Sequence, residues 1–188
     1  MRRASRALLL TVISGASLLL AQTPSEANNL RAAREKLNYF VGTWTLEIHT
    51  KGGPLGGMVF LGNEHNELLP GGSLLVSRQE GVDSPVSGGL SILAYNVNDK
   101  TYTYHVVKST GEVEDLRGTL KGNTWTWTND ELAAGKAPKI RLTIQEFSAK
   151  SYGLKLETTS GEQDWSVVME GEAHKALTYA RPDVAFRR

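Results

Sequence analysis

Residues 63–67, which read Asn-Glu-His-Asn-Glu, are unusually polar for a segment flanked by strand-like sequence. Side chains of an extended chain alternate between two faces. Glu64 and Asn66 would therefore share one face, and His65 and Glu67 the other. In one interpretation, two of these groups form a polar patch at the mouth of a cavity. In the other, which we favour, the segment is a bulge or solvent loop between two shorter strands.

Arg78 is the second charged group that could bind a ligand. Leu74 and Val76 alternate as the inward face of a strand, and the same phase would point the guanidinium of Arg78 inward. An unpaired buried guanidinium is very costly, so it would need an interior carboxylate from residues 63–67 or an anionic ligand group. In the other interpretation, which we favour, the strand ends at Ser77 and Arg78 reaches solvent from the rim.

Aromatic residues recur on neighbouring predicted strands. Tyr102 and Tyr104 share one face, and two tryptophans share a face nearby. These rings would be ordinary core if packed solidly. As a cavity wall they would suit a flat or acyl ligand, with the tyrosine hydroxyls as hydrogen-bonding groups. The same alternation places all four tryptophans in the interior: Trp44, Trp125, Trp127 and Trp165.

The sequence offers little else for catalysis or metal binding. It has no cysteine, which excludes disulfides, thiolate metal sites and cysteine nucleophiles. Nucleophile-elbow, zinc-protease and phosphate-loop motifs are absent. The four histidines are isolated, without the close partner typical of a metal site. We therefore predict no catalytic residue, no metal site and no cofactor.

The elements that would position these residues are mainly strands. An apolar stripe at three- and four-residue spacing predicts one helix that runs to about Tyr39. Beyond it, β-branched and aromatic runs separated by turn residues predict ten strands, near 43–50, 57–68, 73–80, 88–96, 101–108, 112–120, 123–129, 139–147, 151–158 and 164–172. Short turns join antiparallel neighbours, and closure removes the exposed edges. The predicted fold is an all-β, antiparallel up-and-down barrel of about 8–10 strands after one N-terminal helix, with a two-sheet sandwich as the alternative.

The N-terminus has the layout of a secretory signal peptide. Three arginines precede an apolar run of about 14 residues, and Ala21 offers a small residue for cleavage. The run is shorter than the roughly 20 residues of a membrane helix, although a retained anchor is the alternative. This segment holds three of the 21 basic residues and none of the 20 acidic ones, so the rest of the chain has a net charge of about −2.

These observations predict a soluble, exported protein, periplasmic or extracellular, with no membrane span after signal removal. Lysines and arginines form no basic stripe, which argues against a nucleic-acid partner. The predicted parts are the signal peptide 1–21, a helical segment 22–41, a barrel domain 42–181 and a tail 182–188.

The arrangement resembles the calycin superfamily. In lipocalins a Gly-x-Trp step on the first strand closes one end of the barrel, and a basic residue near the last strand stacks over the indole. Gly42-Thr43-Trp44 matches the step, and Arg181 matches the basic residue, with Arg187 or Lys175 as alternatives. More closely, the chain resembles a lipocalin-like family of exported bacterial proteins whose function is not established. Segments 93–102, 118–125 and 139–141 carry this resemblance, which covers about residues 37–180.

The resemblance implies a barrel that binds a small molecule, and it supplies no catalytic residues. We therefore expect non-catalytic binding of a small apolar or amphipathic molecule inside the barrel. The expected polar anchor is Arg78, and the expected wall consists of Trp44, Tyr102, Tyr104, Trp127 and Trp165. The alternatives are an envelope enzyme of unknown reaction, using residues 64–67 with Arg78, and a structural or partner-binding barrel with a solid core.

Overall fold

A computed structural model describes residues 24–52, 56–81, 88–129, 139–159 and 164–176 of the protein. The helix α1 (Pro24–Lys36) leads into a 3₁₀ turn (Leu37–Phe40). Ten strands follow within these residues: β1 (Gly42–Thr50), β2 (Val59–Leu68), β3 (Leu74–Gly81), β4 (Gly89–Asn96), β5 (Thr101–Lys108), β6 (Val113–Lys121), β7 (Thr124–Thr128), β8 (Lys139–Ser148), β9 (Ser151–Thr159) and β10 (Ser166–Lys175).

The strands form one closed antiparallel barrel. Each strand pairs with its neighbours in the chain, and β1 pairs with both β2 and β10. The predicted up-and-down barrel with an N-terminal helix is therefore confirmed, and the two-sheet sandwich is wrong. The ends of the observed strands differ from the predicted ends by at most three residues.

Alternating side chains explain why these segments form strands around a common interior. In β1, Trp44 is buried and Leu46 packs against the core, whereas Thr45 and Glu47 are exposed. The predicted inward phase is also confirmed for β5, β7 and β8, whose alternate side chains pack in the same core. Side chains at every second position of each strand thus form the apolar inner surface of the barrel.

Two glycines allow backbone conformations that other residues rarely adopt. Gly122 has a φ of 62° and lies in the two-residue turn between β6 and β7. Gly42 has a φ of 117°, and a Cβ there would lie 3.3 Å from Cε of Lys175. The chain can therefore pass from the 3₁₀ turn into β1 only because residue 42 has no side chain.

The 3₁₀ turn closes one end of the barrel. The Phe40 ring lies 5.2 Å from that of Trp125 and 5.9 Å from that of Tyr152, measured between centroids. The Tyr102 hydroxyl donates to the Ala33 carbonyl oxygen of α1 at 2.9 Å, which attaches the helix to the barrel. We call this end the aromatic plug, defined by Phe40, Trp44, Tyr102, Trp125 and Tyr152.

Of the helices that the structure describes, none is long and apolar enough to cross a membrane. The predicted signal peptide 1–21 lies outside the described residues, as do Arg181, Arg187 and the predicted tail 182–188.

Candidate functional site

The inner face of the barrel is packed differently at its two ends. In the plug, Trp44 and Trp125 are both 0% exposed. Toward the opposite end, apolar side chains in the inward phase are only half-buried: Ile48, Phe60, Val106 and Leu156. The register supports this phase, because Ile48 lies opposite Phe60 and two residues beyond the inward Leu46. These half-buried apolar side chains make this half of the inner face less tightly packed than the plug; we call it the open half.

Glu64 lies on the inner face where the plug meets the open half, opposite Trp44 in the register. Its Oε1 accepts hydrogen bonds from Nδ2 of Asn66 at 2.8 Å and from the Ser77 hydroxyl at 3.1 Å. The Tyr152 hydroxyl lies 3.4 Å from Oε2. Side chains from β2, β3 and β9 therefore converge on one buried carboxyl.

Burial raises the pKa of the Glu64 carboxyl, because the charged form loses its hydration. Hydrogen bonds from Asn66, Ser77, Tyr152 and Gln79 act in the opposite direction without cancelling this effect. Burial, together with the charge at Glu64, also raises the pKa of the Tyr104 and Tyr152 phenols, so both stay neutral. The described groups that act on Glu64 include no lysine, arginine or histidine. Among the described residues, the groups that act on this buried carboxyl therefore include no basic partner.

Three buried polar atoms on the inner face have no hydrogen-bond partner within the described segments: Asn66 Oδ1, Ser91 Oγ and Trp127 Nε1. Asn66 lies opposite Ser77, and Ser77 lies opposite Ser91, so the three form a row across β2, β3 and β4. Buried polar atoms are nearly always paired. We call Glu64, Asn66, Ser77 and Ser91 the polar centre, which has free capacity for the polar group of a ligand.

Arg78 points outward, so the predicted phase of β3 is wrong. Ser77 is 0% exposed, which places Leu74, Val76 and Arg78 on the outer face. The guanidinium lies 3.8 Å from the carboxylate of Glu67, and both side chains are 57% exposed. The interpretation that Arg78 reaches solvent is confirmed, although β3 continues to Gly81 and does not end at Ser77. Arg78 therefore cannot anchor a ligand inside the barrel.

The favoured interpretation of residues 63–67 as a bulge or solvent loop is wrong as well. They lie in the continuous strand β2, with Glu64 and Asn66 buried inside and His65 and Glu67 exposed outside. Sequence reasoning noticed this pair as one of two phases but did not select it as the site. The polar run itself was the signal that could have identified it.

Trp165 lies outside the barrel, so the prediction of four inward tryptophans is wrong for this residue. The Arg141 guanidinium carbon lies 4.3 Å from the centroid of the Trp165 ring. In β8, Arg141 alternates with Ile140 and Leu142, which pack against the core, so Arg141 faces outward. Trp165 covers the outer face of the sheet and does not line the open half.

The other four predicted site residues are inside the barrel but at two different depths. Trp44 and Tyr102 belong to the plug, and the Trp44 indole N–H donates to the Phe40 carbonyl oxygen at 2.7 Å. The cation over the Trp44 ring is Lys175, whose Nζ lies 4.9 Å from the ring centroid. This pair matches one alternative of the lipocalin-like closure. With these contacts, Trp44 closes one end of the barrel and is a structural residue.

Tyr104 and Trp127 lie next to the polar centre. Their ring centroids are 5.7 Å apart, and Tyr104 is close enough to Glu64 for the carboxylate charge to raise its pKa. Nowhere in the described chain are three histidine, aspartate or glutamate side chains grouped closely enough to hold a metal ion. The polar centre with these two rings is therefore the candidate site.

The fold and the interior together define a closed antiparallel barrel with a buried acidic centre. The chain belongs to the family described as "Protein of unknown function (DUF1579)", which matches residues 29–175. None of the curated proteins matches the chain.

Solved structures show similar barrels. Rv2717c from M. tuberculosis is 12% identical, with a TM-score of 0.58, over 77% of this chain and 98% of that chain. A de novo designed fluorescence-activating β-barrel is 15% identical, with a TM-score of 0.42, over 74% of this chain and 96% of that one. The first likeness supports the barrel fold alone, and the second is too low to support a conclusion.

Proposed function

We propose that the protein is a lipocalin-like binding barrel that holds a small amphipathic molecule in its open half without catalysis. The observation that carries this proposal is the position of Glu64. It is a buried carboxyl, unpaired with any described base, on an inner face whose apolar side chains are half-buried in the open half. A polar head would satisfy the polar centre. An apolar tail would cover Ile48, Phe60, Val106 and Leu156, which stabilises the complex by about 25 cal/mol for each Å² of apolar surface removed from water.

The predicted ligand wall changes accordingly. Tyr104 and Trp127 remain in it, because their rings lie beside the polar centre. Trp44 and Tyr102 support it from the plug. Glu64 replaces Arg78 as the polar anchor, and Trp165 has no role inside the barrel.

We also propose that the protein is exported, with residues 1–21 as a cleaved signal peptide. The basic start and the short apolar run support this proposal. The intact mass of protein recovered from the periplasm or medium should correspond to a chain that begins after Ala21. A full-length mass, or retention inside the cell, would contradict it.

The binding proposal is tested by titrating the purified protein with Nile red, a neutral apolar dye whose fluorescence rises in apolar surroundings. Val106→Trp would fill the open half from β5. Val107→Trp is the matched control, because Val107 is the next residue and lies 37% exposed on the outer face. There it neighbours the exposed Leu90 and Val113, so this variant also reports binding to the outer apolar patch.

We expect saturable one-to-one binding that Val106→Trp weakens at least about tenfold, equivalent to roughly 1.4 kcal/mol. Val107→Trp should bind like the native protein. Urea unfolding of both variants checks that the barrel is intact. Absence of saturable dye binding, or equal binding by both variants, would overturn the proposal of an interior site. Native mass spectrometry of the freshly purified protein should in addition show a bound amphipathic molecule.

A further inference from the structure

We propose that the group held at the polar centre is a protonated primary amine, carried on an apolar tail that occupies the open half. This inference rests on the proposed binding function and specifies the chemical class of its ligand. The acceptors at the polar centre, the charges inside the barrel and the position of the open half all point to this class of ligand.

Of the three unpaired buried atoms at the candidate site, Oδ1 of Asn66 and Oγ of Ser91 can accept hydrogen bonds, whereas Nε1 of Trp127 can only donate. A carboxylate offers about four lone-pair sites, and Oε1 of Glu64 already accepts two short hydrogen bonds. Oε2 faces the Tyr152 hydroxyl at 3.4 Å, and the Gln79 side chain is a further hydrogen-bonding neighbour of the carboxyl. Oδ1 of Asn66 is buried and unpaired among the described groups, and the Ser91 hydroxyl has the Tyr104 phenol as its neighbour.

The oxygens of Glu64 and Asn66 match the donors of an ammonium group. An R–NH₃⁺ head has three N–H donors and no acceptor, so it can donate to the Glu64 carboxyl and to Oδ1 of Asn66, whose Nδ2 already lies 2.8 Å from Glu64. A carboxylate head has acceptors only and offers no donor to Oδ1 of Asn66. An alcohol has one donor and would leave acceptors unpaired.

The charges inside the barrel lead to the same class of ligand. Lys175 lies on the far side of Trp44 from Glu64 in the register, where its ammonium covers the indole ring. Lys108 is engaged by Glu114, which lies 2.5 Å from its Nζ. Neither of these cations contacts Glu64. A buried charge is tolerated when an opposite charge with hydrogen bonds accompanies it, and a ligand ammonium would supply both.

The surroundings of the polar centre also suit a cation. The Tyr104 and Trp127 rings lie beside it, and aromatic faces attract ammonium groups. From this point the apolar tail can follow the half-buried inner wall past Ile48 and Phe60. An amphipathic alkylamine therefore satisfies the acceptors, the charge and the wall at the same time.

The test compares four probes of equal chain length as competitors of Nile red at neutral pH: octylamine, octyltrimethylammonium, octan-1-ol and octanoate. Octylamine should bind most tightly, and octyltrimethylammonium should bind more weakly because it has a charge but no N–H donor. Glu64→Gln should weaken octylamine at least about tenfold, with little change for octan-1-ol. Glu67→Gln, on the same strand but 57% exposed outside, is the matched control and should leave all four affinities unchanged.

The outcomes separate this inference from the binding function on which it rests. If octan-1-ol or octanoate displaces Nile red from the native protein as well as octylamine does, the amine assignment is wrong and the binding function stands. The same holds if octylamine binds equally to the native protein and to a folded Glu64→Gln variant. If Nile red does not bind saturably, both proposals fail. Should Glu64→Gln not fold, the ranking of the four probes on the native protein decides the matter alone.

Discussion

Replacing Gly118 with alanine should destabilise the barrel, because the Trp127 indole packs directly on the backbone of Gly118. An alanine Cβ at this position would lie 2.3 Å from Cδ1 and 2.6 Å from Nε1 of Trp127. Ordinary van der Waals contact begins near 3.4 Å, so the ring would have to move by the difference, about 1.1 Å.

The Trp127 ring is packed on its other sides. It is 1% exposed, its centroid lies 5.4 Å from that of Trp125 with the planes 5° apart, and Tyr104 is 5.7 Å away. Overpacking a core costs about 1–3 kcal/mol, and disturbing an aromatic pair costs about 0.5–1.5 kcal/mol. Alanine also restricts the unfolded chain, which offsets about 0.4–1 kcal/mol. We expect the free energy of unfolding to fall by about 1–3 kcal/mol.

Urea unfolding followed by tryptophan fluorescence measures this change, with an unchanged slope expected if the unfolded state is unaffected. Gly153→Ala is the matched control: its Cβ would lie 2.6 Å from Cζ of Phe147. Phe147 is 58% exposed, so its ring can rotate into solvent, and the midpoint should hardly change. Equal midpoints for the two variants would refute the reasoning, since Trp127 would then be as free to move as an exposed ring.

Three further changes test the charged groups. The raised pKa of Glu64 means that the folded state binds its proton more tightly than the unfolded state does. This contribution to stability is therefore complete below the ordinary pKa of 4.5 and lost as the pH rises through the folded-state pKa. Urea midpoints of the native protein should thus fall relative to those of Glu64→Gln above pH 4.5, because the neighbouring phenols stay neutral; parallel pH profiles would contradict this. Glu157→Gln should behave oppositely, since the hydrogen bond from Arg141 lowers the pKa of Glu157 and its stabilisation is lost as the pH falls below 4.5. Its deficit in unfolding midpoint should be present at neutral pH and absent in acid. Lys175→Met should lower the free energy of unfolding by about 0.5–1 kcal/mol by removing the cation over the plug indole, and a loss no larger than that of the exposed Lys121→Met would argue against that contact.

The barrel could be predicted because its signals are local. The hairpin of β6 and β7 shows this, since the turn at Gly122 and the alternation of Trp125 and Trp127 are both visible in the sequence. The closure of the barrel could be inferred because ten strands joined by short turns would otherwise leave two exposed edges. Neither inference needed to know which distant residues touch each other.

The phase of β3 could not be predicted, because its apolar residues do not alternate. Leu74, Leu75 and Val76 are consecutive, so either face can be apolar. The deciding residue is Ser77, which is buried because it donates to Glu64 on the neighbouring strand. A polar residue inside the barrel made the true inner phase resemble an outer one.

The location of Trp165 depends on an irregularity that periodicity cannot show. The pairing of β10 with β9 shifts between Val167 and Met169. Such a bulge changes the face on which the preceding side chains lie. Extrapolation from Met169 back to Trp165 at period two therefore gave the wrong face.

The polar centre was missed for a different reason, which also bears on what the barrel does. Tyr152 is 88 residues from Glu64 in the chain, and only the closed sheet brings the two together. In the plug, each large apolar side chain stabilises the fold by roughly 1.5–3 kcal/mol on burial. At the polar centre, each unpaired buried atom reduces stability by about 1–3 kcal/mol. The unpaired groups of the inner face lie where the plug meets the open half. A ligand that pairs these buried atoms recovers this free energy on binding. The groups that destabilise the barrel without ligand would therefore increase its affinity for the ligand.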